Sequence, residues 1–278
     1  MLVEQIMSKD IYYATVPGYR TDALKIMQER RVSAAPVIKK ATGEVIGVIS
    51  RTDLVNNPDE EQTALIMTRE ILTAKPDEDL TTPLEKMLEK SIRMVPVVEN
   101  GELVGILSQF DIATKAIYDL DIPKPIDKYV LNIIPTIWEE TPLSIAFHVM
   151  KFSTLKFLIA LDENGKMSGI ISETDFINES EVVPEQTVSS TSVGTEGDKW
   201  SWDSASVLYI LTHNLKFSDK TVKDVATKDV ITVTPNTSVV ECAKIMGSKR
   251  IEQLPVTDIE GELLGILRVK DLIQTLLD

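Results

Sequence analysis

One cysteine, Cys242, stands in the whole chain, so no internal disulfide can form and the fold must rest on an ordinary core. Histidine is nearly as scarce. His148 and His213 are the only two, each among apolar residues of a predicted helix, and with one distant cysteine they offer no metal-ligand spacing. Long apolar runs are missing as well: they stop at about four to eight residues, well short of the roughly 18 to 20 that cross a bilayer. The opening stretch MLVEQIMSKD has no basic region followed by an apolar one, so a secretory leader is not expected. Cations are the minority charge, 29 Lys and Arg against 43 Asp and Glu, for a net charge of −14. That balance removes the electrostatic footprint of a general nucleic-acid binder and works against docking on an anionic membrane. It still permits an anionic small ligand, because a few local cations and backbone amides can hold a phosphate inside an acidic protein. The phosphate-loop, nucleophile-elbow and zinc-helix motifs are absent. The expectation is a cytoplasmic protein that is not an enzyme.

What the sequence does contain is one pattern written four times. From Ala35 it reads APVIKKATGEVIGVISRTDL, from Val95 VPVVENGELVGILSQFDI, from Leu158 LIALDENGKMSGIISETDF, and from Leu254 LPVTDIEGELLGILRVKDL. An apolar run, a Gly turn and a second apolar run predict a β-hairpin, with Gly43, Gly101, Gly165 and Gly261 turning it. The mid-strand glycines Gly47, Gly105, Gly169 and Gly265 predict close approach by a backbone or a ligand. Each copy then reaches an aspartate, Asp53, Asp111, Asp175 or Asp271, that opens a further helix. Upstream lie amphipathic helices (TDALKIMQERR, TTPLEKMLEKS, SIAFHVMKFS, SVVECAKIMGSKR), each preceded by an extended segment.

The unit is therefore β-α-β-β-α, an α/β (α+β) pattern of about 60 residues with too little core to stand alone. Four units imply two pairs. The expected organisation is repeat 1 over 1–60, repeat 2 over 61–122, repeat 3 over 123–180, a linker with an accessory helix over 181–217, and repeat 4 over 218–278. The linker begins Ser/Thr/Gly-rich. Its later part, WSWDSASVLYILTHNL, predicts a helix that packs on the last repeat, with Asp198 or Ser201 as its N-cap.

These units resemble the cystathionine-β-synthase (CBS) domain. The resemblance rests on the LPV-type strand (Pro36, Pro96, Pro255), the G-x-x-x-G core and the S-x-T-D ending in SRTD and SETD, and it covers nearly the whole chain. It implies paired modules forming a disc, with clefts that take adenine nucleotides or S-adenosylmethionine-like ligands. Four-repeat chains of this kind resemble the gamma subunit of AMP-activated protein kinase and stand-alone archaeal relatives. The resemblance therefore implies a ligand sensor, with AMP first among the adenine nucleotides, acting in trans on a protein effector. No cofactor is implied, and a homodimer is left open.

The resemblance also assigns roles. The aspartate holds the ribose, which falls to Asp53 with Thr52, Asp175 with Thr174, and Asp111. Hydroxyls and cations meet the phosphate: Ser50, Ser172, Arg93, Lys156 and Arg51. The base slot falls to Ile11, Tyr12 and Tyr13 with Ala34, Ala35 and Pro36, and to Ile133 and Ile134 with Phe157 and Leu158. Each assignment has a plainer alternative: a helix-capping aspartate, a solvated cation, an ordinary core residue. Repeats 2 and 4 depart from the pattern. Phe110 replaces the hydroxyl in SQFD, and Arg268 and Lys270 replace both hydroxyls in RVKD, where they could grip a phosphate or close on Asp271. A S-adenosylmethionine or methylthioadenosine sensor, a scaffold with degenerate clefts and a nucleotide-dependent enzyme are the alternative readings.

Overall fold

The computed structural model describes residues 1–30, 32–57, 60–120, 123–153, 157–172, 175–176, 179–182, 215–217 and 219–278. The expected accessory helix lies outside them but for its last residue, as do Arg31, Lys156, Thr174 and His213.

The first repeat comprises α1 (Val3–Ile6), β1 (Ala14–Val16), α2 (Arg20–Glu29), β2 (Ala34–Lys39), β3 (Val45–Ser50) and α3 (Arg51–Asn56). The second has α4 (Thr63–Ile66), α5 (Thr81–Glu89), β4 (Met94–Glu99) and β5 (Glu102–Ser108). Its closing helix runs through α6 (Gln109–Asp111), one π-helical turn (Ile112–Ala116) and α7 (Ile117–Asp119). The third has a 3-10 turn (Asp127–Tyr129), β6 (Thr136–Trp138), α8 (Leu143–Ser153), β7 (Phe157–Leu161) and β8 (Met167–Ser172). Two short strands follow, β9 (Ser180–Val182) antiparallel to β10 (Leu215–Phe217), which the sequence reading had left inside a linker. The fourth has α9 (Val222–Val225), α10 (Val239–Lys249), β11 (Gln253–Thr257), β12 (Leu263–Arg268) and α11 (Val269–Leu272).

In repeats 1 and 3 the leading strand lies parallel to the second, which pairs antiparallel with the third. In repeats 2 and 4 the leading strand shrinks to single bridges, Ala74 to Val97 and Val233 to Val256. Pro76 and Pro235 follow two residues later and have no N–H to extend the ladder.

The repeats interlock in pairs. Ser8, ahead of the first sheet, pairs with Ile106 of β5, while Thr68, ahead of the second, pairs with Val48 of β3. Leu131 and Ile266, and Thr227 and Ile170, make the same exchange between repeats 3 and 4. This exchange accounts for the mid-strand glycines. A Cβ on Gly47 would stand 2.7 Å from the Thr68 carbonyl, and one on Gly265 2.7 Å from the Leu131 carbonyl. At Gly47, Gly169 and Gly265 the approaching group includes a backbone carbonyl, whereas at Gly105 it is the Met7 side chain, neither the backbone nor the ligand of the sequence reading.

Helix faces close the cores. Ala23, Leu24 and Met27 of α2 are spaced three and four apart and buried with Ile49 and Leu54, and the neighbouring repeat adds Ile66 and Met67. In repeat 3, Leu143, Ala146, Met150 and Phe176 are joined by Val222 and Ala226 of repeat 4. Repeats 2 and 4 share the largest core, in which Leu84, Met87 and Leu107 meet Cys242, Met246 and Leu267. Each such fully buried side chain contributes about 1.5–3 kcal/mol. No helix among the described residues is long and apolar enough to cross a membrane.

Candidate functional site

All four aspartates share one local device. The second hairpin strand ends, and the aspartate three residues on reaches back to the last residue of the strand; in repeats 1, 2 and 4 that aspartate is the third residue of a helix. Asp53 Oδ2 accepts from Ser50 N at 2.7 Å and Ser50 Oγ at 2.6 Å, and Asp53 N donates to Ser50 Oγ at 3.3 Å. Asp175 Oδ2 accepts from Ser172 N and Oγ, both at 2.7 Å. Asp111 Oδ2 takes Ser108 N at 3.2 Å and the Ser108 hydroxyl. Asp271 Oδ2 takes Arg268 N at 3.2 Å. The capping role is thus real in every repeat, and what distinguishes the repeats is the second carboxylate oxygen.

Asp53 and Asp175 are half-buried, and Oδ1 of each has no hydrogen-bond or ion-pair partner among the described residues. That oxygen carries two lone pairs, enough to accept two adjacent hydroxyls, although the other oxygen is spent on the cap. Asp111 Oδ1 is held by Lys115 Nζ at 2.8 Å. Asp271 is 5% exposed and clasped by Arg268, Nε to Oδ2 at 2.7 Å and Nη2 to Oδ1 at 2.9 Å. Of the two outcomes open for the cations of RVKD, Arg268 closes on the aspartate, while Lys270 Nζ turns away to Ser91 Oγ at 3.0 Å. Two carboxylates are open and two are closed.

The residues expected around them are partly assembled. Ser33, Arg93 and Glu252 each accept, through the backbone carbonyl, from the residue that opens the aspartate helix: Arg51 N at 2.9 Å, Gln109 N at 2.9 Å and Val269 N at 2.8 Å. The residue ahead of the apolar-Pro strand therefore lies beside the aspartate turn of its own repeat. Arg93 stands at the closed Asp111 turn, its guanidinium 4.0 Å from Glu252 of repeat 4. Arg51 and Asp53 are half-buried and Thr52 is exposed. Phe110 packs against the core shared by repeats 2 and 4. Lys156 and Thr174 lie outside the described residues.

Among the base-slot residues, Ile11, Tyr12 and Tyr13 line a crevice of about 280 Å³ with Ile26, Glu29 and Arg30. Arg30 grips both oxygens of Asp10, at 2.8 and 3.1 Å. The Tyr12 hydroxyl is pushed up to about 12, first by burial and then by the charges of Asp111 and Asp10, with Arg30 opposing. Tyr12 thus lies within electrostatic reach of the aspartate of the second repeat, the segment ahead of it having crossed onto β5 at Ser8. The sequence reading placed Tyr12 in a base slot with Ala34, Ala35 and Pro36 of its own repeat, without the exchange. Ala34 is half-buried, but Ala35 and Pro36 are sealed in the core, as are Phe157 and Leu158. Ile134 is half-buried and packed, whereas Ile133 is 89% exposed. Lys115, Tyr12 against Asp111, and the Asp10–Arg30 pair escaped the sequence reading. The Asp111–Lys115 pair alone had a signal, the i,i+4 spacing of opposite charges on a helix. Among the described residues no group of three or more His, Cys, Asp and Glu could hold a metal ion.

Comparison with known proteins places this architecture. The sequence pattern of the family described as the CBS domain matches residues 3–60, 63–117, 126–181 and 222–278. Uncharacterized protein MJ1225 of Methanocaldococcus jannaschii is 22% identical, covering 91% of this chain and 90% of that one. Uncharacterized protein MJ1404 of the same organism is 25% identical and covers 99% of this chain, which spans only 62% of that protein. The crystal structure of an uncharacterized conserved protein from Pyrococcus horikoshii superposes with a TM-score of 0.70 at 26% identity, covering 99% of this chain and 100% of that one. The crystal structure of MJ1225, a suggested archaeal homologue of g-AMPK, gives 0.73 at 21% identity with the same coverage, a likeness of fold.

Proposed function

This chain belongs to the CBS domain family, with four copies in tandem, and from that premise we propose that it is a regulatory sensor of adenine nucleotides acting on a protein partner. The observation that carries the reading is the pair of open carboxylates. Asp53 and Asp175 are fixed in position by their caps, are half-buried, and each keeps one oxygen unpaired among the described residues. An oxygen held this way is preorganised to accept the hydroxyls of a ribose. Arg51 and Ser50 flank Asp53, and Ser172 caps Asp175, as groups that would meet a phosphate; Lys156 is assigned the same role by sequence position alone.

The crossing segments supply the means of signalling. Residues ahead of each sheet lie on the second strand of the neighbouring repeat, so a ligand beside the aspartate turn touches both members of a pair. It then favours one relative orientation of the two repeats by its differential affinity for it. The work is done by binding, without catalysis, and the output passes to a separate protein.

Isothermal titration with AMP tests this. Two sites per chain are expected, with Asp53→Asn and Asp175→Asn each removing one. Absence of any heat or thermal stabilisation with AMP, ADP, ATP or adenosine would replace the sensor by a scaffold with degenerate clefts. A second reading, a S-adenosylmethionine or methylthioadenosine sensor, draws support from the engagement of Arg93 with Glu252 rather than with an open turn. Those ligands keep the ribose contact without needing phosphate cations. If AMP is the ligand, Lys156→Ala and Arg51→Ala weaken it at least about tenfold and leave methylthioadenosine nearly unchanged. Arg93→Ala tests whether that side chain adds to the phosphate contact.

A further inference from the structure

Four repeats carry four aspartate turns, yet among the described residues only two present a carboxylate oxygen without a partner. The Asp111 turn keeps its serine cap and its aspartate, although Phe110 replaces the hydroxyl residue between them. What fills it comes from one helical turn downstream. Lys115 Nζ lies 2.8 Å from Asp111 Oδ1 and donates at 3.0 Å to the carbonyl of Ile6, in the leading helix of the first repeat. The ammonium therefore joins two repeats, linking the aspartate of the second to the leading helix of the first. The two-sided contact is the one expected of a bound ligand.

The other repeats show that the cation is a choice of this position. Four residues after the aspartate stand Asn57, Lys115, Glu179 and Thr275. Asn57 Nδ2 donates to the Asp53 backbone carbonyl at 2.9 Å, Glu179 pairs with Lys220 at 2.5 Å, and Thr275 donates to Leu272 O at 2.7 Å. None of these three engages its repeat's carboxylate. The π-helical turn over Ile112–Ala116 is found in the second repeat alone among the described residues, and Lys115 sits within it. Local widening of this kind recurs where a helix must re-aim a side chain. In the fourth repeat Arg268 reaches the same result from the opposite direction, out of the cap position itself.

We propose that Lys115 is an internal surrogate for ligand: its ammonium occupies the ribose-binding oxygen of Asp111 and keeps that crevice shut, so occupancy is confined to Asp53 and Asp175. This deepens the sensor reading and rests on it for the choice of ligand. It assigns Lys115 a role in setting stoichiometry, with Arg268 as its counterpart at Asp271. Both closed turns belong to the repeats that share the largest core, and both open ones to repeats 1 and 3. Ligand then acts on repeats 1 and 3 while the turns of repeats 2 and 4 stay locked.

The experiment is titration of full-length chain with AMP, comparing wild type, Lys115→Met and Lys115→Arg. Methionine keeps the length and apolar stem without the charge, and arginine keeps the cation. Two sites in wild type, three in Lys115→Met and two in Lys115→Arg are expected. Two sites in both wild type and Lys115→Met overturn the inference while leaving the sensor reading intact. Three or four sites in wild type overturn it also, since the lysine would then exclude nothing. No binding in wild type but a new site in Lys115→Met upholds the plug and sinks the reading of the open turns. No binding in either removes both. Should Lys115→Met not fold, Lys115→Gln, which retains a donor for the Ile6 carbonyl, carries the same comparison with the same outcomes.

Discussion

The carbonyl of Thr68 lies over the α-carbon of Gly47, so close that a single methyl group on the glycine would stand 2.7 Å from its oxygen. This contact belongs to the exchange of leading segments that joins repeats 1 and 2, and Val48 N donates to the same carbonyl at 3.0 Å. Gly47→Ala must push the two strands apart, because a backbone carbonyl cannot swing aside as a flexible side chain can. The expected cost is about 1–3 kcal/mol. Gly43 makes the comparison: it has φ +74° at the hairpin turn and open space around it, so Gly43→Asn, which tolerates that backbone, costs well under about 1 kcal/mol. Chemical denaturation of the two variants measures the contrast. Equal losses would mean that the interlock contributes nothing beyond turn strain.

Asp53 and Asp271 occupy the same place in their repeats and should respond oppositely to one substitution. Asp53→Asn keeps an oxygen for the Ser50 cap and leaves no counter-ion stranded, so stability changes by less than about 1 kcal/mol while AMP affinity falls at least about tenfold. Asp271→Asn leaves the Arg268 guanidinium without the carboxylate it clasps at 2.7 and 2.9 Å, and the site is nearly sealed. A loss of about 1–3 kcal/mol with unchanged AMP binding is expected. A fall in nucleotide affinity for Asp271→Asn, measured by titration, would contradict the division into open and closed turns.

Much of this was legible in the residues. The four-fold pattern around Asp53, Asp111, Asp175 and Asp271 gave the number and kind of units, and the turn glycines gave the hairpins, because short-range chemistry governs both. The closure of Asp271 by Arg268 was one of two stated outcomes for the same three-residue stretch. The destination of the crossing segments was not legible. Tyr12 comes within electrostatic reach of Asp111 because Ser8 leaves its own repeat and pairs on β5, and nothing local in Met7 or Ser8 records that destination. The glycine at 105 was the trace of it, read as close approach by a backbone or a ligand where the approaching group is the Met7 side chain. The short strands β9 and β10 escaped for the opposite reason: three residues each, they are too brief to show a period.

Cys242 offers a test of the shared core. Its thiol is wholly buried and pushed up to about 12, chiefly by burial with a smaller push from Glu241. At pH about 8 the thiolate population is negligible and the sulfur is out of reach, so a disulfide reagent should label the native chain only as fast as repeats 2 and 4 open. Denaturant should bring labelling to one thiol per chain within the mixing time. Immediate stoichiometric labelling under native conditions would show that the Cys242, Met246 and Met87 cluster does not form the sealed junction seen here.

Tyr12 predicts an alkaline signature. Its phenol is held neutral to about 12, above its ordinary value near 10, by burial and by Asp111 and Asp10. The folded state therefore retains this proton when the unfolded chain has already lost it. The resulting stabilisation is complete below pH about 10 and drains away as pH rises toward about 12. The side chain is half-buried, so the full shift is discounted for solvent screening, and the contribution is about 1–2 kcal/mol. Tyr12→Phe has no proton to lose. Between pH about 9 and about 11.5 its denaturation midpoint should fall less steeply than that of wild type, by that amount. Because the shift comes partly from Asp111, placing Tyr12→Phe in an Asp111→Asn background should shrink the difference that the tyrosine substitution makes. An undiminished difference would mean that the tyrosine of the first repeat does not feel the carboxylate of the second.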